Sequence, residues 1–379
     1  MGARTFSDLI TFTRASTGTY TGSNGLLQTA AVDQSRIDYN PATGEKLGLL
    51  VEEQRTNLLS RSSEFDNASW TKSNVTVTAN ATTAPDGTLA ADVLTETTAT
   101  GAHSFYRLPG LGIATYTYSF YAKANGRTKV QVSQESGGNS LFTLSGAGTA
   151  TAQGANTVSI QDVGNGWYRC STTFTVTGAF GIYMTLHNGS TTSYTGDGTS
   201  GIYVWGAQLE TGAFPTSYIP TTTAQVTRSA DVASITGTNF SDWYRQEEGT
   251  LYVAYSTFGS GTGWGITMGG GSDYISLLKG NSGGANRLSV VTGGVTQGTL
   301  DFAGITTGTT YKLAGAYKAN DLAASLDGAT PLTDASASIP TVSSATIGSL
   351  FTQSLNGHIK SIKYYPKRLT DAELQALTA

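Results

Sequence analysis

The sequence predicts an all-β protein: two tandem jelly-roll or β-sandwich modules, preceded by an extended N-terminal segment and closed by a short C-terminal helix. Three observations carry that prediction. Glycine is abundant at 47 residues while charged residues make up only 13 % of the chain, a composition suited to short strands joined by tight turns. Apolar and polar residues alternate with period two in TYTYSFYAK, KVQVSQ and WYRCSTTFTVT, so each run presents one face to a core. The length, 379 residues, exceeds what one hydrophobic core usually serves, so two or three domains are expected.

Residues 1–58 differ from the rest. Gly18-Thr19-Tyr20-Thr21 leads into Ser23-Asn24-Gly25, and Asn-Gly between short strands is a strong hairpin signal. Pro41-Ala42-Thr43-Gly44 makes a second turn before LGLLVEE. The segment has few positions that could build a core of its own, so Leu47, Leu49, Leu50, Val51, Leu58 and Leu59 are expected to pack on the next module or on another subunit. It reads as an anchoring and assembly segment whose removal should leave both modules folded.

The first module spans 59–222. Alternation predicts strands at Val75–Ala79, Ala91–Glu96, His103–Arg107, Tyr116–Ala124, Lys129–Ser133, Thr157–Gln161, Trp167–Thr177, Gly181–Leu186 and Ile202–Leu209, separated by glycine turns such as SGGNS and DVGNG. That count suits a two-sheet jelly roll. In the closing stretch, Ile202, Val204 and Gly206 alternate with Tyr203, Trp205 and Ala207. Pro215 and Pro220 lack amide donors and should end the ladder near Phe214. Residues 223–248 read as a linker, following the polar, threonine-rich run from Thr221 to Thr227. From 249 to 379, GTLYVAYSTF, GITMG, YISLLKG, RLSVVTGG, YKLAGAYKAN, LAASLDG, SATIGSL and GHIKSIKYYP are spaced as in a second sandwich. Thr370 then stands at an N-cap, with Asp371 and Glu373 in the first helical turn and Leu374 and Leu377 on one face.

Several function classes recede on composition. A formal charge of -4 without a Lys/Arg run gives no basic face for nucleic acid. No signal-peptide pattern or long apolar run is present, so neither secretion by that route nor membrane insertion is expected. Cys170 is the one cysteine; it cannot form an intrachain disulfide and sits in an alternating run, which favours a small buried hydrophobe over a nucleophile.

Catalytic constellations are equally sparse. His103, His187 and His358 lie far apart in sequence without metal-ligand spacing, and His358 reads as a turn or edge residue. Glu52-Glu53 and Glu247-Glu248 are adjacent pairs, and neighbours on a strand point to opposite faces. GGGSDY and SGGAN lack the lysine and helix of a phosphate loop and read as turns.

Sugar binding is better supported. Aromatic rings stack on pyranose faces while amides, acids and guanidinium groups bond hydroxyls, on sandwich faces or loop rims. Trp70, Tyr106 and Tyr194 are candidates in the first module and Trp243, Tyr244, Trp264 and Tyr274 in the second, beside glycine-rich turns. Trp167 and Trp205, inside alternating strands, read instead as core or interface packing.

The run LGLLVEEQRTNLL, followed by SEFDNASW, APDGT, GWYRCS, VWGAQLE and FPTSYIPT, resembles the repeated core of bacteriophage and prophage fibre and spike proteins, which is similar to jelly-roll carbohydrate-binding modules. GTLYVAY through GHIKSIKYYPKRLTDAELQAL resembles the concanavalin-like, laminin-G-like sandwiches of the same particles. The resemblance implies a non-enzymatic virion surface protein, made in the host cytoplasm. It would be held to other virion proteins through its N-terminal segment and would be a homo-oligomer, a trimer or alternatively a pentamer. It also implies a structural calcium ion near Glu64, Asp66 and Glu210; solvent-facing or turn-capping carboxylates are the competing reading. Three functions stay open: adhesion to host-surface polysaccharide, a purely architectural role on the particle, and glycan cleavage by acids distant in sequence.

Overall fold

The computed structural model describes residues 6–134, 138–259, 261–280, 285–302 and 304–379. Strands make up nearly all of the regular structure, as expected, and the turns foreseen in SGGNS and SGGAN lie largely outside the described residues. Among the described residues no helix is long and apolar enough to cross a membrane.

Every strand read from alternation in 59–222 is present, joined by short strands such as Thr71–Ser73, Asn139–Thr143 and Thr149–Gln153. They form two six-stranded sheets. The front sheet runs in the order Thr149–Gln153, Asn139–Thr143, Lys129–Gln134, Ile182–His187, Ser104–Arg107, Thr71–Ser73; the back sheet runs Thr157–Asp162, Trp167–Val176, Ala114–Asn125, Gly201–Thr211, Leu89–Glu96, Val75–Thr83. Phe105, Val132, Phe142 and Met184 of the front sheet meet Tyr118, Phe120, Phe174 and Val204 of the back sheet in one core, with Phe120 edge-on to Phe142 at 5.7 Å. Cys170 is fully buried there, and burial pushes its thiol pKa up, away from nucleophilic use.

The second sandwich is where the threading departs from a simple succession of modules. One of its two seven-stranded sheets runs Thr11–Thr13, Val232–Thr236, Ser344–Ile347, Gly263–Gly270, Asp273–Lys279, Asn286–Thr292, Val295–Phe302. The other runs Leu332–Asp334, Leu322–Leu326, Tyr311–Lys318, Glu248–Thr257, Gly357–Tyr365, Lys46–Val51, Ile37–Tyr39. Residues 1–58 therefore supply strands to both sheets, and the stretch read as a linker supplies Val232–Thr236. Phe12, Leu49 and Val51 are buried in this core. The first sandwich is thus an insertion into the second. Its two connections pair with each other, Arg55–Asn57 antiparallel to Val226–Arg228.

This threading changes two local readings. His358 is no edge residue: its strand is covered by Lys46–Val51, with His358 opposite Leu50 on one side and Ser256 on the other. The close pairing also requires Gly48, at φ +120°, where a Cβ would come 2.3 Å from the Ile359 carbonyl oxygen. The terminal helix Asp371–Thr378 forms as its local signals dictate, with Thr370 and Glu373 closing a reciprocal capping box and Leu374 fully buried.

Lys279 gives the second sandwich a titratable weak point. Its side chain is 2 % exposed, its ammonium donates to Thr257 Oγ1 at 3.1 Å and to the Gly259 carbonyl, and burial pushes its pKa down to about 8. Between that value and the ordinary lysine range the unfolded chain holds a proton that the folded chain lacks, so stability rises with pH across this window. Relative to Lys279→Met, whose tyrosines titrate alike, the native protein should gain about 2–3 kcal/mol between about pH 8 and about pH 10. Urea midpoints of the two proteins across that range check this, and parallel pH curves would refute it.

Candidate functional site

The motif residues of LGLLVEEQRTNLL, VWGAQLE and FPTSYIPT converge at the neck between the sandwiches, where they act as fasteners. Gly206 sits at φ +64° beside a register shift against Ala114–Asn125, and a Cβ there would lie 2.9 Å from the Tyr121 ring. This bulge resets the alternation. Val204, Ala207 and Leu209 all enter the core, while Gln208 and Glu210 turn toward the closing loop. Glu210 accepts from the Thr216 amide (2.9 Å) and hydroxyl (2.8 Å), and Gln208 accepts from the Ile219 amide (2.6 Å). Asn57, fully buried, donates to the Ala207 and Ile219 carbonyls and accepts from the Leu59 and Leu209 amides.

Beneath the loop lies a cluster of charges without solvent exposure. Arg14 bonds Asp231 (3.0 Å), Arg36 bonds both Asp231 and Glu52 (2.8 Å to the latter), and Arg228 stands 3.5 Å from Glu52. Glu52 also accepts from the Ser217 amide and hydroxyl, each at 2.7 Å. Burial opposes its ionisation, but Arg228, Arg36 and the Ser217 bonds prevail and hold its carboxyl well below the usual range. Glu53 turns elsewhere, to Arg55 and Asn356.

The aromatic candidates divide by exposure. Trp70 is buried against Phe65 and Phe105, its indole N–H given to the Arg61 carbonyl. Trp243 and Tyr244 pack with Phe240, Tyr317 and Tyr364. Trp264 is buried and edge-on to Tyr274. Tyr194 is held by Glu96 (2.7 Å to its hydroxyl), with the Arg127 guanidinium 5.1 Å above the ring and His103 at 4.7 Å. Trp70, Tyr244 and Trp264 are buried, while Trp243, Tyr194 and Tyr274 are half-buried within these ring contacts. Trp167 and Trp205 cover the back sheet's outer face together with Tyr121 and Tyr218, as packing residues.

Tyr106, like Tyr194, is half-buried. It stacks on Tyr183, ring centroids 4.8 Å apart, on the outer face of the front sheet. Tyr183 escaped sequence reading because only the register Tyr106↔Tyr183 brings the two together. Side by side on this face stand Thr185, Gln131, Ser133 and Asn139, and exposed Leu108 approaches Tyr183 across Gly181. Both tyrosines, Gln131, Ser133 and Asn139 are half-buried, so ring area and hydrogen-bonding groups share one surface, with Thr185 buried beneath it.

The carboxylates considered for calcium have separate settings. Glu210 spends both oxygens on Thr216 and Gln208, Glu64 pairs with Arg61 at 2.6 Å, and Asp66 is exposed. Among the described residues no group of three or more His, Cys, Asp or Glu side chains is placed to hold a metal ion.

One large cleft of about 620 Å³ opens between the back sheet of the first sandwich, the closing loop and the edge of the second sandwich. Asp38, Glu52 and His358 line it. Asp38 accepts from His358 (2.7 Å) and from the Thr21 amide (2.6 Å), so both acids of the cleft are tied to partners.

No protein-family model and no curated protein sequence matches the chain. Among solved structures it is similar to the CBM40 of the Ruminococcus gnavus IT-sialidase (20 % identity, TM-score 0.30, 35 % of this chain and 83 % of that one). It is similar to domain 4 of AbnA, a GH43 extracellular arabinanase from Geobacillus stearothermophilus solved with arabinotriose (13 %, TM-score 0.32, 44 % and 82 %). It is also similar to domains LG4-5 of the mouse laminin alpha1 chain (11 %, TM-score 0.30, 73 % and 88 %).

Proposed function

We propose that this chain is a non-catalytic surface subunit of a bacteriophage or phage-like particle that adheres to host-surface polysaccharide as a homo-oligomer. The observation that carries adhesion is the Tyr106–Tyr183 stack on the open, hydroxyl- and amide-bearing face of the front sheet. An aromatic platform flanked by polar groups matches a sugar's apolar face and hydroxyl rim. The particle location rests on the resemblance of the closing motifs to fibre and spike proteins. On a glycan array with the intact protein, Tyr183→Ala and Tyr106→Ala should each weaken binding about tenfold or more without shifting the melting curve greatly. A blank array for the native protein would instead favour the architectural role.

A hydrolase remains the second reading because Asp38 and Glu52 share the cleft wall. Against it, a glycosidase needs one carboxyl that stays protonated near neutral pH, whereas the arginines hold Glu52 ionised. Release of reducing ends from capsule or lipopolysaccharide, lost in Asp38→Asn, would establish catalysis.

A further inference from the structure

We propose that the cleft between the sandwiches is a second ligand site, for an oligosaccharide carrying carboxylate groups. The site is separate from the Tyr106–Tyr183 face and does not rest on it.

The floor is the outer face of the back sheet at its free edge. Cross-strand pairs Thr157↔Thr173, Ser159↔Ser171 and Gln161↔Arg169 set two columns of polar side chains on one face. All six line the cleft. Along each column the groups recur every second residue, at about 6.6–6.8 Å, and the columns stand about 5 Å apart, a lattice that meets successive sugar hydroxyls. Thr157, Ser159 and Gln161 are exposed, and among the described residues neither they nor Ser171 make a side-chain hydrogen bond. An inter-sandwich docking surface would have spent these groups on the opposite wall; here they face a gap.

Arg169 supplies the charge preference. Arg169 is half-buried; one of its terminal nitrogens donates to the Thr216 carbonyl and the Ser119 hydroxyl, while among the described residues the other makes no hydrogen bond and is not sealed from solvent. A guanidinium nitrogen with free donors on a cleft wall gives a carboxylate a charge-assisted bond that a neutral hydroxyl cannot match. The two acids that could compensate Arg169 are already engaged, Asp38 by His358 and Glu52 by Arg36. Tyr39, Phe214 and Phe258 on the facing walls offer rings to the sugar's apolar face. The cleft volume lies within the range of small-ligand sites, about 300–1,000 Å³.

Calorimetric titration of the full-length protein with a panel of uronic-acid oligosaccharides and their carboxyl-reduced counterparts tests this. At least one acidic member should bind, and its reduced counterpart should bind about ten- to a hundredfold more weakly. Arg169→Gln should erase that difference. Ser159→Tyr, on the exposed edge strand and clear of both cores, should block both sugars. No binding by any acidic member, equal binding of acidic and reduced sugars to the native protein, or unaltered binding in Ser159→Tyr would overturn the proposal. Loss in Tyr183→Ala with Ser159→Tyr unaffected would place the ligand on the front sheet instead.

Discussion

A chain lacking residues 1–58 is expected to keep the first sandwich and lose the second. The deletion removes Thr11–Thr13, Ile37–Tyr39 and Lys46–Val51, which edge both sheets of the second sandwich. It takes Phe12, Leu49 and Val51 out of that core, about 5–9 kcal/mol of apolar burial at roughly 1.5–3 kcal/mol per side chain. It also strips Asp231 of Arg14 and Arg36. The apolar loss alone lies within the whole stability of a typical domain, about 5–15 kcal/mol. The strand Gly357–Tyr365 would be left with a bare edge beside buried His358, an invitation to aggregation. By contrast, 55–228 keeps the paired connections and both six-stranded sheets, so that fragment should fold alone. Hydrogen exchange on the truncated chain should show protection confined to 59–222; protection persisting in Glu248–Thr257 and Gly357–Tyr365 would show that the N-terminal strands are dispensable. The sequence taken alone predicts the opposite result, two intact modules after the cut, so this experiment separates a nested chain from a serial one.

Why the nesting escaped sequence reading follows from how each element announces itself. Alternation is a local property, so Lys129–Gln134, Trp167–Val176 and Glu248–Thr257 were legible from their own residues. The capping box of the last helix is local as well. Strand partners are not: nothing in LGLLV indicates that Leu49 will lie opposite Ile359. Short polar-flanked strands such as Thr11–Thr13 carry too few apolar positions to register as strands at all. The candidate site shows the same division. Aromatic residues were visible as types, but whether a ring is stacked on an open face, as Tyr106 is, or sealed in a core, as Trp70 and Trp264 are, depends on pairings across the sheet. The bulge at Gly206 is the clearest case, because it reverses which of Gly206, Ala207, Gln208 and Leu209 face inward. The cleft needed segments as far apart as Tyr39, Ser159, Phe214 and Phe258 to be brought together, and no one of them carries a motif for it.

Asp231→Ala should destabilise the second sandwich by about 3–5 kcal/mol, the largest effect expected of any single substitution in the neck. Asp231 is fully buried and serves three donors: Arg14, Arg36 and the Glu52 amide. Removing it leaves two guanidinium groups without that acceptor in a site that already holds three arginines against two carboxylates. For a unit of this size each kcal/mol moves the melting temperature by about 2–4 °C, so a fall of about 6–20 °C should be read in a thermal scan. The damage arises from stranding charge rather than from losing an attraction, and that distinction is testable. Arg14→Met alone leaves Asp231 bonded to Arg36 and the Glu52 amide, and should cost less than Asp231→Ala. Combining Arg14→Met with Asp231→Ala should recover part of the loss, giving a coupling energy within the range of about 0.5–3 kcal/mol found for residues in contact. Strict additivity of the two single substitutions would mean that Arg14 and Asp231 do not interact through the cluster.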